Sequence, residues 1–454
     1  MLFEKLKSSS SRLNILSQCD ILGSYDFFTT IVSFESLSIQ DFRNMQKYTD
    51  SLRNTYSKNS NMEHGAYEVL SKTLPLVTHE YTHFYDCSST VWGSKYLSIM
   101  SQAYIADNLT YKATEKDFHY AKKFHDLIRF SRLPEYYTDK TDVMDNSRPW
   151  KHHQSIGNRF LSSGEISDHP IIFTWFGNSH GEQLVRSPIS TISILECSAM
   201  AQEIIANLSL INLLEESQRI VELNLYTKKI LDYVYNKDIT EYSVCAHLMS
   251  NKFNEPDILL TYTASALLCR LVLNTPSKVY MKIFEECDFE NIFGSDQNTD
   301  EIVDKIKMGL KYLEPGFLYY LICYAMPYGK LDESDYGFSL ICAGLQKLGI
   351  NYADIESESR EEFLKYSDIA VNSKINSISI LAKAGQENYK LTDWSKPMIK
   401  FDSLSLPPAL LGDSTEINIF SGDNNSLKAL SLDSIYDELI VGQIWVERFV
   451  EACA

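Results

Sequence analysis

The stretch that most constrains this chain is Leu74–Asp86, LPLVTHEYTHFYD. Within it His79-Glu80-Tyr81-Thr82-His83 matches H-E-x-x-H. Residues four apart on a helix lie one above the other, so His79 and His83 present two imidazoles to one point in space, a clamp for a metal ion. Glu80 lies about 100° round the same helix. Its carboxylate can reach a water at the metal without taking a coordination position, which places it as a base. Pro75 fits a first helical turn, with Thr73 just before it as a cap. Val77, Tyr81 and Phe84 form an apolar stripe at i, i+4 and i+7 that anchors the helix in a core. Asp86 falls on the histidine side, where it can orient an imidazole. The competing reading is an accidental match on an ordinary core helix.

Two histidines do not complete a zinc site, because a catalytic zinc usually has three protein ligands and one water. The best third ligand is Glu196, in ILECSAMAQE. Its helical neighbours Ile192, Ala199 and Met200 set the carboxylate on an apolar stripe, and a buried charge is costly unless paired or bound to metal. Ala199 is small enough for a second helix to approach closely. An ion pair to Arg or Lys is the alternative for Glu196, and Asp86 is the alternative as ligand. Glu203, two turns on, stands either behind the ligands or exposed. His180 and Arg186 are candidate donors to a developing oxyanion, with turn and surface roles as alternatives. The adjacent pair His152-His153 points apart on a helix or strand and does not converge on one ion. Cys87 and Cys197 each follow a proposed site carboxylate but point away from it, as core thiols do.

HEYTH followed by a downstream helix carrying Glu196-Cys-Ser-Ala199 resembles the gluzincin group of zincin-fold zinc metallopeptidases. The resemblance spans residues 74–203 at most, and two motifs carry it. It implies zinc ligation by His79, His83 and Glu196, Glu80 as general base, and a protein or peptide substrate. The metzincin pattern needs a Gly and a third His or Asp after the motif, whereas His83 is followed by Phe-Tyr-Asp-Cys-Ser-Ser.

With 42 Lys and Arg against 60 Asp and Glu, the formal charge is −18. An acidic surface repels phosphate backbones and anionic lipid, so neither nucleic acid nor membrane is an expected partner. No run of about 18 uninterrupted apolar residues occurs, and Phe317–Met326 is too short to span a bilayer. The 9 cysteines form no C-x-x-C pair. That usage fits reduced thiols and a cytoplasmic location.

The expected architecture is α+β and predominantly α-helical, with a zincin-like catalytic region containing a small β-sheet followed by a helical region. Residues 1–215 form the catalytic region, 216–385 a helical domain, and 386–454 an irregular segment with a C-terminal docking helix. One or two strands are expected between Ile21 and Leu37. Helices are expected over Ile39–Tyr56, Met62–Ser71, Val91–Asn108 and Glu115–Phe130. Ser131–Pro170 reads as a long surface insertion, a usual place for a lid. Ile171–Phe176 and Gln183–Arg186 read as a hairpin whose first strand offers an edge to an extended substrate. Thr191–Leu213 and most of the chain to residue 385 read as helix, with a loop at Asp288–Asp300. A short strand at Glu416–Phe420 and a helix at Ile435–Cys453 complete the reading. The competing function class is a non-catalytic helical interaction protein, and a third is a metal hydrolase acting on a bond other than the peptide bond.

Overall fold

The structure, a computed structural model, describes residues 22–56, 61–105, 115–143, 148–161, 163–294, 297–420, 427 and 430–453. Two short strands, β1 (Ser24–Tyr25) and β2 (Val32–Phe34), precede helices α1 (Ile39–Tyr56), α2 (His64–Ser88), α3 (Val91–Ile105) and α4 (Glu115–Ser131). Strands β3 (Asp139–Lys140), β4 (Lys151–Phe160), β5 (Ile166–Gly177) and β6 (Gln183–Ile189) follow. Then come α5 (Thr191–Ile211), α6 (Glu216–Val234), α7 (Val244–Ser250), α8 (Ile258–Asn274), α9 (Ser277–Glu286) and α10 (Phe289–Phe293). The helical run continues through α11 (Gln297–Lys311), α12 (Pro315–Ala325), α13 (Phe338–Lys347), α14 (Tyr352–Val371) and α15 (Asn376–Leu391). Strands β7 (Ala409–Leu411) and β8 (Glu416–Ile417) and helix α16 (Leu432–Cys453) close the chain. The fold is α+β and predominantly helical, as the sequence patterning implies.

The chain forms two compact units, each assembled from separate stretches. One takes the described residues up to Ile128, Ala199–Tyr226, and those from Phe363 on; the other takes Arg129–Ser198 and Thr227–Glu362. Boundaries at residues 215 and 385 do not coincide with these. Helix α5 is long and apolar enough to cross a membrane by length and composition, but 72% of its apolar window is buried inside the protein.

The first unit is built around α2. Every residue from Val77 to Ser88 is buried. A helix buried on all sides has to satisfy its polar side chains internally. The Thr78 hydroxyl donates to the Pro75 carbonyl (2.8 Å), Thr82 to that of Thr78 (2.6 Å) and Ser88 to that of Phe84 (2.7 Å). Here the expectation of two helices meeting near Thr73 is corrected. One helix runs from His64 through Pro75, and the Thr73 hydroxyl donates to the Val69 carbonyl as an interior residue. Proline costs the helix only the bond its nitrogen would give to Ser71, and tertiary burial of the following three turns outweighs that loss. Gly385 on α15 lets that helix cross directly over the end of α2, since a β-carbon there would run into the Ser88 carbonyl oxygen.

The sheet beside α2 has the order β1-β2-β7-β8. Strand β2 pairs antiparallel with β1 and parallel with β7, in the register Val32 to Ala409, Ser33 to Leu410 and Phe34 to Leu411. The turn between β1 and β2 is set by Asp26, whose carboxylate accepts from the Phe28 and Thr29 amides, each at 2.8 Å. The segment read as irregular, from residue 386 on, is anchored at Pro397, Ile399 and Pro407. Gln202 on α5 donates to the Pro397 carbonyl (2.7 Å) and accepts from the Ile399 amide (2.9 Å). The Tyr81 hydroxyl donates to the Pro407 carbonyl (2.8 Å).

In the second unit the order is β3-β6-β5-β4, antiparallel throughout. This corrects the reading of Ser131–Pro170 as a loop, because β4 and the start of β5 lie within it. It also corrects the proposed open edge at Ile171–Phe176. Strand β5 is paired with β4 on one side and β6 on the other, so its main-chain groups are taken. The span Asp288–Asp300 holds α10 and the first turn of α11 rather than a continuous loop. A buried ion pair from Arg159 on β4 to Glu314 before α12 (3.0 Å) and a Tyr312 to Asp168 hydrogen bond (2.7 Å) fix the sheet against its helices.

Candidate metal centre

His79, Glu80 and His83 sit in the fully buried part of α2, at 5%, 3% and 4% exposure. The two imidazole centroids are 5.1 Å apart with planes 76° to one another, as one helical turn of separation requires. The end of β1 and the turn after it pack on His83. Tyr25 stacks on His83 at 6.3 Å and Phe27 lies 6.1 Å from it. Burial pushes the Tyr25 hydroxyl well above its usual range, so a neutral phenol flanks the imidazole.

The third member is Glu196, 8% exposed on α5. One ligand atom from each of His79, His83 and Glu196 lies within 4.8 Å of the others, and among the described residues this is the one such group. Two neutral nitrogens and one carboxylate oxygen are a donor set that divalent transition metals accept, and three ligands leave a fourth position for water. A cation also supplies the counter-charge that a carboxylate needs in so dry a place. The residues therefore fit a metal ion.

Glu203, two turns along α5, completes the arrangement. Its Oε2 lies 3.2 Å from His79 Nδ1, with the His79 side chain 6% and that of Glu203 22% exposed. A carboxylate that accepts the Nδ1 proton fixes the tautomer and leaves Nε2 to meet the metal. The acceptor for His79 is thus on the second helix. Asp86 is buried on α2, one turn past His83, and lies outside the converging group.

The space beside Glu80 depends on a residue the sequence reading missed. A β-carbon placed on Gly23 would lie 3.2 Å from both Cγ and Oε1 of Glu80. The glutamate side chain therefore occupies space that any side chain at the residue just before β1 would crowd. Nothing in the local sequence around Gly23 signals this, since only the tertiary fold brings it to α2.

The other candidates have local roles. His180 is exposed on the turn between β5 and β6, where its amide donates to Asn178 Oδ1 (3.0 Å). The Arg186 guanidinium lies over the rings of Phe173 (4.8 Å) and Trp175 (5.3 Å). His152 and His153 diverge as strand neighbours do, the first packing on His247 (5.8 Å) and the second on Trp175 (6.1 Å). Cys87 and Cys197 are fully buried thiols.

No family model, no curated protein and no solved structure matches this chain.

Proposed function

We propose that this chain is a zinc-dependent hydrolase of the gluzincin type, cleaving peptide bonds, with His79, His83 and Glu196 as ligands and Glu80 as general base. One observation carries the reading: three ligand atoms from α2 and α5 converge within 4.8 Å in a buried place, with a buried glutamate next in sequence to the first of them. When bound, zinc supplies Lewis-acid polarisation of a carbonyl and acidifies a coordinated water. The work of the chain is proton transfer and positioning. The Glu80 carboxylate takes the proton of the attacking water and delivers it to the departing amine. Glu203 holds His79 in one tautomer, and Tyr25 and Phe27 wall off His83.

Two measurements test this. Elemental analysis of the purified protein is expected to give about one zinc per chain, against little in His79→Ala. A peptide library made from a digested proteome, incubated with the metal-loaded protein, is expected to show new termini that Glu80→Gln does not produce. A second reading, a structural metal in a non-catalytic helical protein, draws on the low exposure of all three ligands. It is the one left standing if zinc is present and no bond is cut.

A further inference from the structure

Helix α6 has one side turned into the protein and one side left to solvent. Tyr226, Ile230 and Val234, each four residues from the next, are buried, and Glu222 on the same side accepts from His64 Nε2 at the start of α2 (3.0 Å). These residues anchor the helix by its inner side, and the outer side of such a helix is ordinarily polar. Here Ile220, Val221 and Leu225 are 55%, 55% and 58% exposed, with Leu223 exposed at their edge. Val221 and Leu225 are four apart and Ile220 adjoins them, so the three make one patch on consecutive turns. Among the described residues no other helix exposes three large apolar side chains in so short a stretch.

The charges on this helix are sorted by end. Glu215 and Glu216 stand at its start, Lys228 and Lys229 in its second half, and all four are exposed. Among the described residues Glu216, Lys228 and Lys229 have no ion-pair partner. The lysines lie more than a turn before Val234, outside the stretch in which a helix dipole rewards a cation. The apolar patch is centred on position 222, and so are the charges, Glu215 and Glu216 being as far before it as Lys229 and Lys228 are after it. A pattern with acid before a centre and base at the same distance after it is complementary to its own reverse.

We propose that the outer side of α6 is a homodimer interface, on which a second copy of this chain lays its own α6 antiparallel across a two-fold axis. A two-fold contact uses the same patch of both subunits, so that patch has to complement itself. Antiparallel pairing sets Ile220, Val221 and Leu225 of each copy against those of the other and brings each acidic end alongside the other copy's lysines. In a chain of formal charge −18, this is a face on which the charges cancel, as two copies need in order to meet. A single helix pair is small beside the roughly 1,200–2,000 Å² of a stable complex, so the dimer is a reversible one. The inference goes beyond the metal reading and does not depend on it.

The test is sedimentation velocity of the full chain at loadings from about 1 to 100 µM. The wild type is expected to pass from monomer towards dimer across that range. Val221→Glu buries an unpaired charge in the patch and is expected to weaken association at least about tenfold. Lys228→Glu with Lys229→Glu, and separately Glu215→Lys with Glu216→Lys, turn attraction into repulsion at both ends and are each expected to weaken it roughly tenfold. Mixed together, these two charge-reversed proteins are expected to form a heterodimer, since one then carries acid at both ends of α6 and the other carries base. All the altered residues are exposed, so the fold is expected to persist, and thermal melting checks it; Val221→Ser takes the place of Val221→Glu should that variant not fold. A wild type that stays monomeric throughout overturns the proposal and leaves the face to a partner of another sequence. A dimer that survives the change at Val221 overturns it too, as do charge-reversed proteins that self-associate like the wild type or fail to pair with each other.

Discussion

Gly23 leaves room for Glu80: a β-carbon on the glycine would sit 3.2 Å from the glutamate's Oε1 and 3.2 Å from Phe34 Cδ1. That separation is tighter than ordinary contact, and Phe34 blocks retreat of the new methyl group. Gly23→Ala is therefore expected to push the Glu80 carboxylate by a few tenths of an ångström while leaving both histidines in place. Zinc content should stay at the wild-type level and turnover should fall roughly tenfold, since displaced catalytic groups lose rate steeply. Unchanged turnover would separate Glu80 from the chemistry.

Removing Glu196 tests the ligand set. Glu196→Ala is expected to lose most bound zinc after dialysis, whereas Asp86→Asn is expected to keep it. Zinc that binds the folded chain also stabilises it, by about 4 kcal/mol when free metal exceeds the dissociation constant a thousandfold. Wild-type protein should accordingly melt higher with zinc than with chelator. Glu196→Ala should melt at the same temperature in both.

The amide variant Glu80→Gln is nearly isosteric, binds no proton at neutral pH and should leave metal and melting temperature unchanged. Hydrolysis is expected to fall by at least about 100-fold, the usual worth of a positioned base. Full turnover in this variant would remove Glu80 as the base.

Tyr81→Phe probes the tie between α2 and the C-terminal segment. The Tyr81 hydroxyl donates to the Pro407 carbonyl at 2.8 Å in a buried place, so its loss orphans that acceptor. A cost of about 1–3 kcal/mol is expected in denaturant unfolding. Zinc affinity should change little, because Tyr81 faces away from the ligands.

His247 sets a pH dependence in the second unit. Its ring is boxed by Trp150, Phe176, Tyr235 and His152, and burial followed by the nearby His152 pushes its pKa down to about 3. The unfolded chain takes a proton near pH 6.5 and the folded one does not, so stability is full above that value and falls as the pH drops towards 3. Relative to His247→Gln, the wild type should lose about 1.4 kcal/mol per pH unit across that window. Parallel stability curves for the two proteins would show that His247 takes up its proton in the folded state as readily as in the unfolded one.

The converging histidine pair was legible because it is local: H-E-x-x-H on a helix fixes its own geometry. Glu196 was legible for a related reason, since a carboxylate on an apolar helical stripe demands a counter-charge. Glu203 could be placed only as one of two outcomes, because a helix position says which face a residue is on and not what lies opposite. Strand β4 was read as loop for a physical reason. Its residues, KHHQSIGNRF, are polar on both faces and mostly half-buried, so the alternation that marks a strand is missing, and the partner β5 supplies the order instead. Strand β7, the three residues that directly follow Pro407-Pro408, is strand because β2 and β8 lie on either side of it. Gly23 carries no signal at all, since its role is an absence of side chain opposite a residue remote in sequence.

The parallel pairing of β2 with β7 sets a schedule for biosynthesis. A growing chain acquires His79, His83 and Glu196 early, yet the sheet that lies against α2 stays two strands short until Ala409–Leu411 and Glu416–Ile417 have emerged. The Pro407 carbonyl that Tyr81 requires and the Pro397 and Ile399 groups that hold Gln202 arrive equally late. A nascent chain stalled before residue 397 thus has all three converging side chains and none of these supports. The buried surroundings of His79, His83 and Glu196 are therefore complete only once the segment up to residue 417 has been translated.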